Sequence, residues 1–459
     1  MTLSDLPTPA VQPMTASPRA AEPRGFYAGS VLLVALLLSY TDRFILNLVV
    51  DPIRADLGLS DVEISLLQGV GFAIIFAVAG PPCGRLADSV NRRNVIAIGV
   101  LVWSSATLAC ALATNFAGFF AARLAVGLGE AALVPAASSL LVDLVPPRRR
   151  GVALGLFTLG ASLGIGTALL FGGLVLRWIE AGLFDAWPLV GRLSAWRRLI
   201  LIAGLPGFPL LLLLLAIAEP ARQERVGPLP LSGVVARVLA DGGSVLRVGT
   251  VKAALGIGDY GLIAWLPTLL QRSQKLTPLE AGSVVALAIT ASGALATVPA
   301  GALSDAFVRR WGTPTRVVLL FPCYGLTLVG ALLVFLANGA ALLGLAYFIW
   351  AVGSIGAYLI GQVVLQESVP NEMRATTIAL SLALTALIGM ALGPTLVPLV
   401  AQHLAGEQGG LQQALGTVSL GSALLACVVI GPPIRSGIRA WRARRAVRAG
   451  HGLGSDRAS

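Results

Sequence analysis

The chain has 459 residues, of which 56% are hydrophobic and 12% charged, with a mean hydropathy of +0.84. Soluble domains carry about a quarter of their residues as charges, so an ordinary soluble enzyme is excluded, and at about 20 apolar residues per membrane helix the length holds roughly a dozen spans and no large soluble domain. Lys and Arg number 33 against 22 Asp and Glu, a formal charge of +11, which in so apolar a chain reads as loop charge facing an anionic membrane surface and not as a nucleic-acid footprint.

In chain order, residues 1–25 are rich in Pro, Ala, Ser and Thr and lack the apolar core of a secretory signal, so a disordered cytoplasmic tail is expected there. Twelve apolar segments follow, near 26–50, 64–84, 94–113, 117–141, 151–176, 199–218, 250–270, 281–304, 316–337, 340–365, 375–400 and 412–433. Runs this long and unalternating satisfy their backbone hydrogen bonds in lipid only as helices. The longest connection, 219–249, contains Pro220, Pro228, Pro230, Gly242 and Gly243 and divides the spans into bundles at 26–218 and 250–433. Arg85, Arg92, Arg93 and the run from Arg148 to Arg150 fall on one side, whereas Arg54, Arg177, Arg192 and Arg272 fall on the other. That asymmetry places both termini in the cytoplasm, with a bacterial inner membrane as the expected location. In the basic tail, 434–459, Ile434, Ile438 and Trp441 share a helical face among arginines, as in an amphipathic helix on the inner leaflet; a disordered basic tail is the other reading. Four isolated cysteines and two histidines offer no metal or disulfide pattern, and no P-loop is present, so no cofactor and no ATP-driven step is expected.

The two halves repeat each other. Gly84-Arg-Leu-Ala-Asp88, followed by Arg92 and Arg93, recurs as Gly301-Ala-Leu-Ser-Asp305, followed by Arg309 and Arg310, at an offset of 217. Asp143-Leu-Val-Pro146, ending at Arg150, recurs as Glu367-Ser-Val-Pro370, ending at Arg374, at an offset of 224. Two matches in the same order at equivalent helix ends argue for duplication. Topogenic charge alone would explain the arginines but not the repeated acids.

On these residues the chain resembles the major facilitator superfamily of secondary transporters over nearly all of 26–433, with Asn91 where that family's loop motif has glycine. Asn also enters the left-handed region, which makes the replacement tolerable. Thr41-Asp42-Arg43-Phe44, the stretch from Arg123 through Gly127, Gly129 and Glu130 to Ala132, and Trp196-Arg197 before Gly204-Leu-Pro206-Gly207 resemble the spinster-like group. The resemblance implies an all-α membrane fold of twelve helices in two pseudo-symmetric halves, working by alternating access on a lysophospholipid- or sphingolipid-like amphiphile. It also implies that Asp42, Arg43, Arg123 and Glu130 serve substrate and proton coupling. Asp88, Arg92 and Asp143, with Asp305, Arg309 and Glu367 as counterparts, would latch the inner side in the outward-facing state.

Charged groups inside a membrane are costly and mark function. Five are counted: Asp42 and Arg43 in segment 1, Arg123 and Glu130 in segment 4, and Asp259 in segment 7. The first four sum to zero, as in a proton switch or in fixed ion pairs between helices. Gly127, Gly129, Ala131 and Ala132 offer Glu130 no polar partner, which makes it the expected proton carrier, while Asp42 is expected to pair with Arg123. Asp259 lines the cavity or is solvated beside Tyr260. Phe44, Tyr260 and Trp265 are available to receive an acyl tail, and glycines such as Gly160 and Gly164 in segment 5 allow close helix contact. The expected partners are the substrate, protons and membrane lipids, and the chain is read as a monomer. A small organic anion attracted by Arg43 and Arg123, a drug-efflux carrier, and a receptor that does not transport are the other readings.

Overall fold

A computed structural model of the protein describes residues 18–146, 149–188, 190–220, 244–367, 377, 380–404, 410–431 and 439. Among them, twelve helices are long and apolar enough to cross a membrane: α1 Gly25–Leu48, α2 Asp61–Ala87, α3 Arg92–Leu112, α4 Phe116–Leu144, α5 Ala153–Glu180, α6 Ala195–Leu215, α7 Leu246–Gln274, α8 Pro278–Trp311, α9 Arg316–Leu336, α10 Ala340–Glu367, α11 Leu380–Leu404 and α12 Gly410–Gly431. The helix that carries α1 begins at Pro18, inside the segment expected to be a tail. Residues 1–17, most of the 219–249 linker and nearly all of the basic tail lie outside the described residues.

Local sequence sets the helix starts. Ser60 with Glu63 forms a capping box before α2, and Thr277 with Glu280 forms one before α8, so first-turn N–H groups find side-chain acceptors. Asn91 acts as an N-cap and not as a left-handed residue: its backbone is extended (φ −64, ψ 114), and its side chain accepts from the Asn94 N–H at 3.0 Å. Pro135 cannot donate to the Ala131 carbonyl, and α4 breaks at Ala132, one turn earlier.

The helices assemble as two bundles. Within the first, α1 packs on α5 and α4 on α2 and α3; within the second, α7 packs on α11 and α10 on α8 and α9. Gly164 permits the α1–α5 approach, since a Cβ there would lie 2.5 Å from the Leu37 carbonyl oxygen. The halves meet along α5 with α8 and α2 with α11. At the second seam both helices widen into π turns, Leu66–Val70 and Thr385–Met390, a local form often found at functional sites.

We call the face where α1 starts the entry face and its opposite the far face. Hydrogen bonds and ion pairs that join the halves between described residues cluster toward the far face. Asn47 donates to the Ile263 carbonyl at 3.0 Å, Gln271 to the Leu48 carbonyl at 3.2 Å, and Gln68, which also donates to Asn47 within its own half, to the Ala264 carbonyl. Gly282 presses on α5 so closely that a Cβ would sit 2.2 Å from the Leu169 carbonyl oxygen. The structure is therefore closed toward the far face.

Candidate functional site

Arg43 stands one residue before the end of the α-helical part of α1, which stops at Phe44 where the chain tightens into a 3-10 turn over Ile45–Leu48. One turn earlier lies Ser39, and the i, i+4 spacing puts both on the face toward α4. Glu130 meets them just before the α4 break: its Oε2 accepts from the Ser39 hydroxyl at 2.6 Å and from the Arg43 guanidinium in an ion pair. Phe72 and Tyr40 cover that guanidinium, with centroids 4.1 and 4.6 Å from its central carbon.

The other two charges are held differently. Asp42 accepts from the Thr107 hydroxyl of α3 at 3.2 Å, and its Oδ1 has no hydrogen-bond partner. Arg123 donates through Nε to the Leu67 carbonyl in the α2 π turn at 3.0 Å, and its Nη2 is likewise without a partner. No ion pair joins Asp42 to Arg123 among the described residues. All four side chains are buried. The expected arrangement is thus reversed: Glu130 has a cation in direct contact, and Asp42 has none in contact among the described residues. The reason is tertiary, since Glu130's own helix is apolar around it while α1 brings Ser39 and Arg43 to it.

In the second half, Asp259 is not simply solvated, and no ion pair holds it among the described residues. It accepts from Trp350 Nε1 at 2.7 Å and from the Ser354 hydroxyl at 2.6 Å, both on α10. Trp265 does not face a cavity: it is buried and donates to the Pro394 carbonyl of α11 at 2.8 Å. Phe44 is buried too, and Tyr260 is half-buried. A sixth intramembrane charge, Lys252 of α7, escaped the sequence count although it lies within segment 7. A single charge in an apolar run was the signal that could have found it.

At the entry face, Arg92 joins Asp143 of α4 at 2.5 Å and Glu219 beyond α6 at 2.8 Å. The backbone N–H of Arg93 also donates to Glu219, at 3.1 Å. The side chain of Asp88 lies outside the described residues; Gly84 lies in the last turn of α2, and Gly301 nearly three turns before the end of α8. The counterpart of Arg92 is Arg316 and not Arg309: Arg316 meets Ser304 at 2.6 Å, Glu367 at 3.1 Å and Asp305 at 3.3 Å, while Arg309 is exposed. Arg316 stands 224 residues after Arg92, the offset of the second repeat, because α8 runs on through Arg309 and Arg310 to Trp311 before Gly312 (φ 88) ends it. Among the described residues each network ties helices within one half, and neither is seen to bridge the halves. Arg316→Gln is therefore expected to cost about 1 to 3 kcal/mol of stability, and Arg309→Gln less than about 0.5, read by thermal unfolding in detergent.

The charged contact that does cross between halves was missed by sequence reasoning. Arg272 at the end of α7 reaches Asp51 at 2.6 Å and Asp61 at 2.7 Å. Away from the central charges, a mainly apolar cavity of ≈ 230 Å³ opens at the entry face between the start of α1, the end of α4 and the start of α5.

Two six-helix halves, sealed at one face and enclosing a buried, charge-balanced cluster, have the architecture of a secondary transporter. The chain belongs to the major facilitator superfamily, whose sequence profile matches residues 32–394; it is an integral membrane transporter and not an enzyme. It is 29% identical to an MFS-type efflux pump of Mycolicibacterium smegmatis over 88% of this chain and 89% of that one. It is 26% identical to the sphingosine-1-phosphate transporter SPNS2 of Danio rerio over 88% of this chain and 82% of the relative. A bacterial homolog to the human lysosomal transporter Spinster, solved in an inward-facing and unoccupied conformation, superposes with a TM-score of 0.73 at 23% identity, covering 92% of this chain and 98% of that one.

Proposed function

We propose that this transporter is proton-coupled and moves an amphipathic, lipid-like solute of the lysophospholipid or sphingolipid class by alternating access, its entry face being cytoplasmic in a bacterial inner membrane. The observation that carries the reading is the buried quartet, in which Glu130 is neutralised by Arg43 while Asp42 has only a neutral hydroxyl against it. An unpaired charge buried this way is costly, and a proton on Asp42 removes it. The proton then leaves the quartet at net +1, which favours an anionic headgroup nearby. The carrier assignment moves from Glu130, the sequence expectation, to Asp42. The lipid class is supported by likeness to a sphingosine-1-phosphate transporter. The entry-face networks around Arg92 and Arg316 have the role of keeping each half rigid while the halves rock.

The test is flux into proteoliposomes. Asp42→Asn is expected to abolish acceleration of lysolipid transport by an imposed pH gradient while leaving exchange measurable. Flux through that variant that still follows the gradient would take the proton path away from Asp42. Saturable binding of small anions with none of lysolipids would give the site to an organic-anion carrier instead.

A further inference from the structure

Lys252 has no place in the quartet, yet it is only 3% exposed within a membrane helix. Its Nζ donates to Gln362 Oε1 and lies 4.1 Å from the centroid of the Tyr358 ring. Both partners are neutral, and among the described residues no carboxylate pairs with it. The next acid on its helix, Asp259, stands seven residues on, about 10 Å along the axis, and its two oxygens are already held by Trp350 and Ser354. An ammonium has three donors, so Gln362 leaves donors over. Gly361, one residue before Gln362, lies against the lysine stem, where a Cβ would make ordinary contact with its Cγ and Cδ at 4.0 Å.

Position adds a second argument. Lys252 lies near the start of α7, on the entry-face side, whereas the contacts that seal the halves lie on the far side. Tyr358 and Gln362, which cover the ammonium, are themselves only half-buried. A lysine is a compact point charge suited to an oxyanion. Across from it, Arg43 is occupied by Glu130, and Arg123 lies toward the sealed far face against the Leu67 carbonyl, so on the entry side Lys252 is a buried cation with no carboxylate partner among the described residues.

We propose that Lys252, with Gln362 and Tyr358, is an oxyanion subsite in the second half that receives the phosphate or carboxylate group of the transported solute when the protein is closed toward the far face. The inference rests on the carrier reading above, and the shared chemistry of a lipid headgroup and a free anion is separated by the choice of probes. Equilibrium binding to the purified full-length protein in maltoside detergent would be measured for dodecyl phosphate, dodecanol and inorganic phosphate. Wild type is expected to prefer dodecyl phosphate to dodecanol by tenfold or more; Lys252→Gln should remove that preference with dodecanol binding unchanged, and Lys252→Arg should keep most of it. Inorganic phosphate binding that also depends on Lys252 would support the subsite with a free anion as its occupant. A Lys252→Gln protein that keeps the preference, or loses both dodecyl probes equally, would overturn the proposal, the second result marking Lys252 as structural. If neither dodecyl probe binds wild type, the amphiphile reading fails, and the inorganic phosphate arm alone decides the subsite: binding lost in Lys252→Gln upholds it, and any other result ends it.

Discussion

Glu130→Gln is expected to damage this protein more than any other single change in the site, lowering both substrate binding and thermal stability. The carboxylate neutralises Arg43, which is otherwise surrounded by Phe72, Tyr40 and apolar helix. Removing one partner of a buried pair leaves an uncompensated charge, at a cost of about 3 to 5 kcal/mol. The double variant Glu130→Gln with Arg43→Gln should recover much of the stability, since it removes both charges together, while transport stays lost. Unfolding temperatures of the two single variants and the double variant form the necessary cycle. Additive losses would show that the pair is not coupled. Asp42→Asn should differ in kind: it deletes a charge that no cation contacts directly among the described residues, so the fold should tolerate it better than loss of Glu130, and the response to a pH gradient should vanish.

Arg272→Gln should open the far face. The guanidinium of Arg272 makes two hydrogen bonds or more to each of Asp51 and Asp61 from the other half, and it is the charged clasp between halves among the described residues. Charge-assisted contacts contribute about 1.5 to 3 kcal/mol. Solvent reaches Asp51, whose side chain is 42% exposed, so the lower end applies. About 1.4 kcal/mol corresponds to a tenfold change in a two-state population. Spin labels at Ala55 and Ser273, both exposed at that face, should report a longer-distance fraction roughly tenfold more populated than in the parent. An unchanged distance distribution would mean that the apolar seam of α5 on α8 holds the face shut by itself.

Much of this architecture is written in one-dimensional pattern. Twelve apolar runs, a Pro- and Gly-rich divide and two internal echoes depend on composition and spacing alone, and lipid enforces the helical answer because no water is there to satisfy an open backbone. The identity of the quartet was legible for the same reason: charges in apolar runs stand out. Which charge meets which was not. Glu130 looked unpartnered because its sequence neighbours are glycine and alanine, but helices bring together residues far apart in the chain, and Ser39 and Arg43 come from another helix entirely. Arg309 looked like the equivalent of Arg92 because it follows the repeated motif at the same spacing. The longer α8 keeps it within the helix on an exposed face and leaves Arg316 to do that work, an outcome set by where a helix stops. Arg272 and its two aspartates gave no local signal at all, since their pairing exists only where the halves close on each other. Spacing along the chain thus determined the helices, their number and the buried charges, whereas the pairing of those charges and the face that is shut depend on contacts between helices that only the packed structure contains.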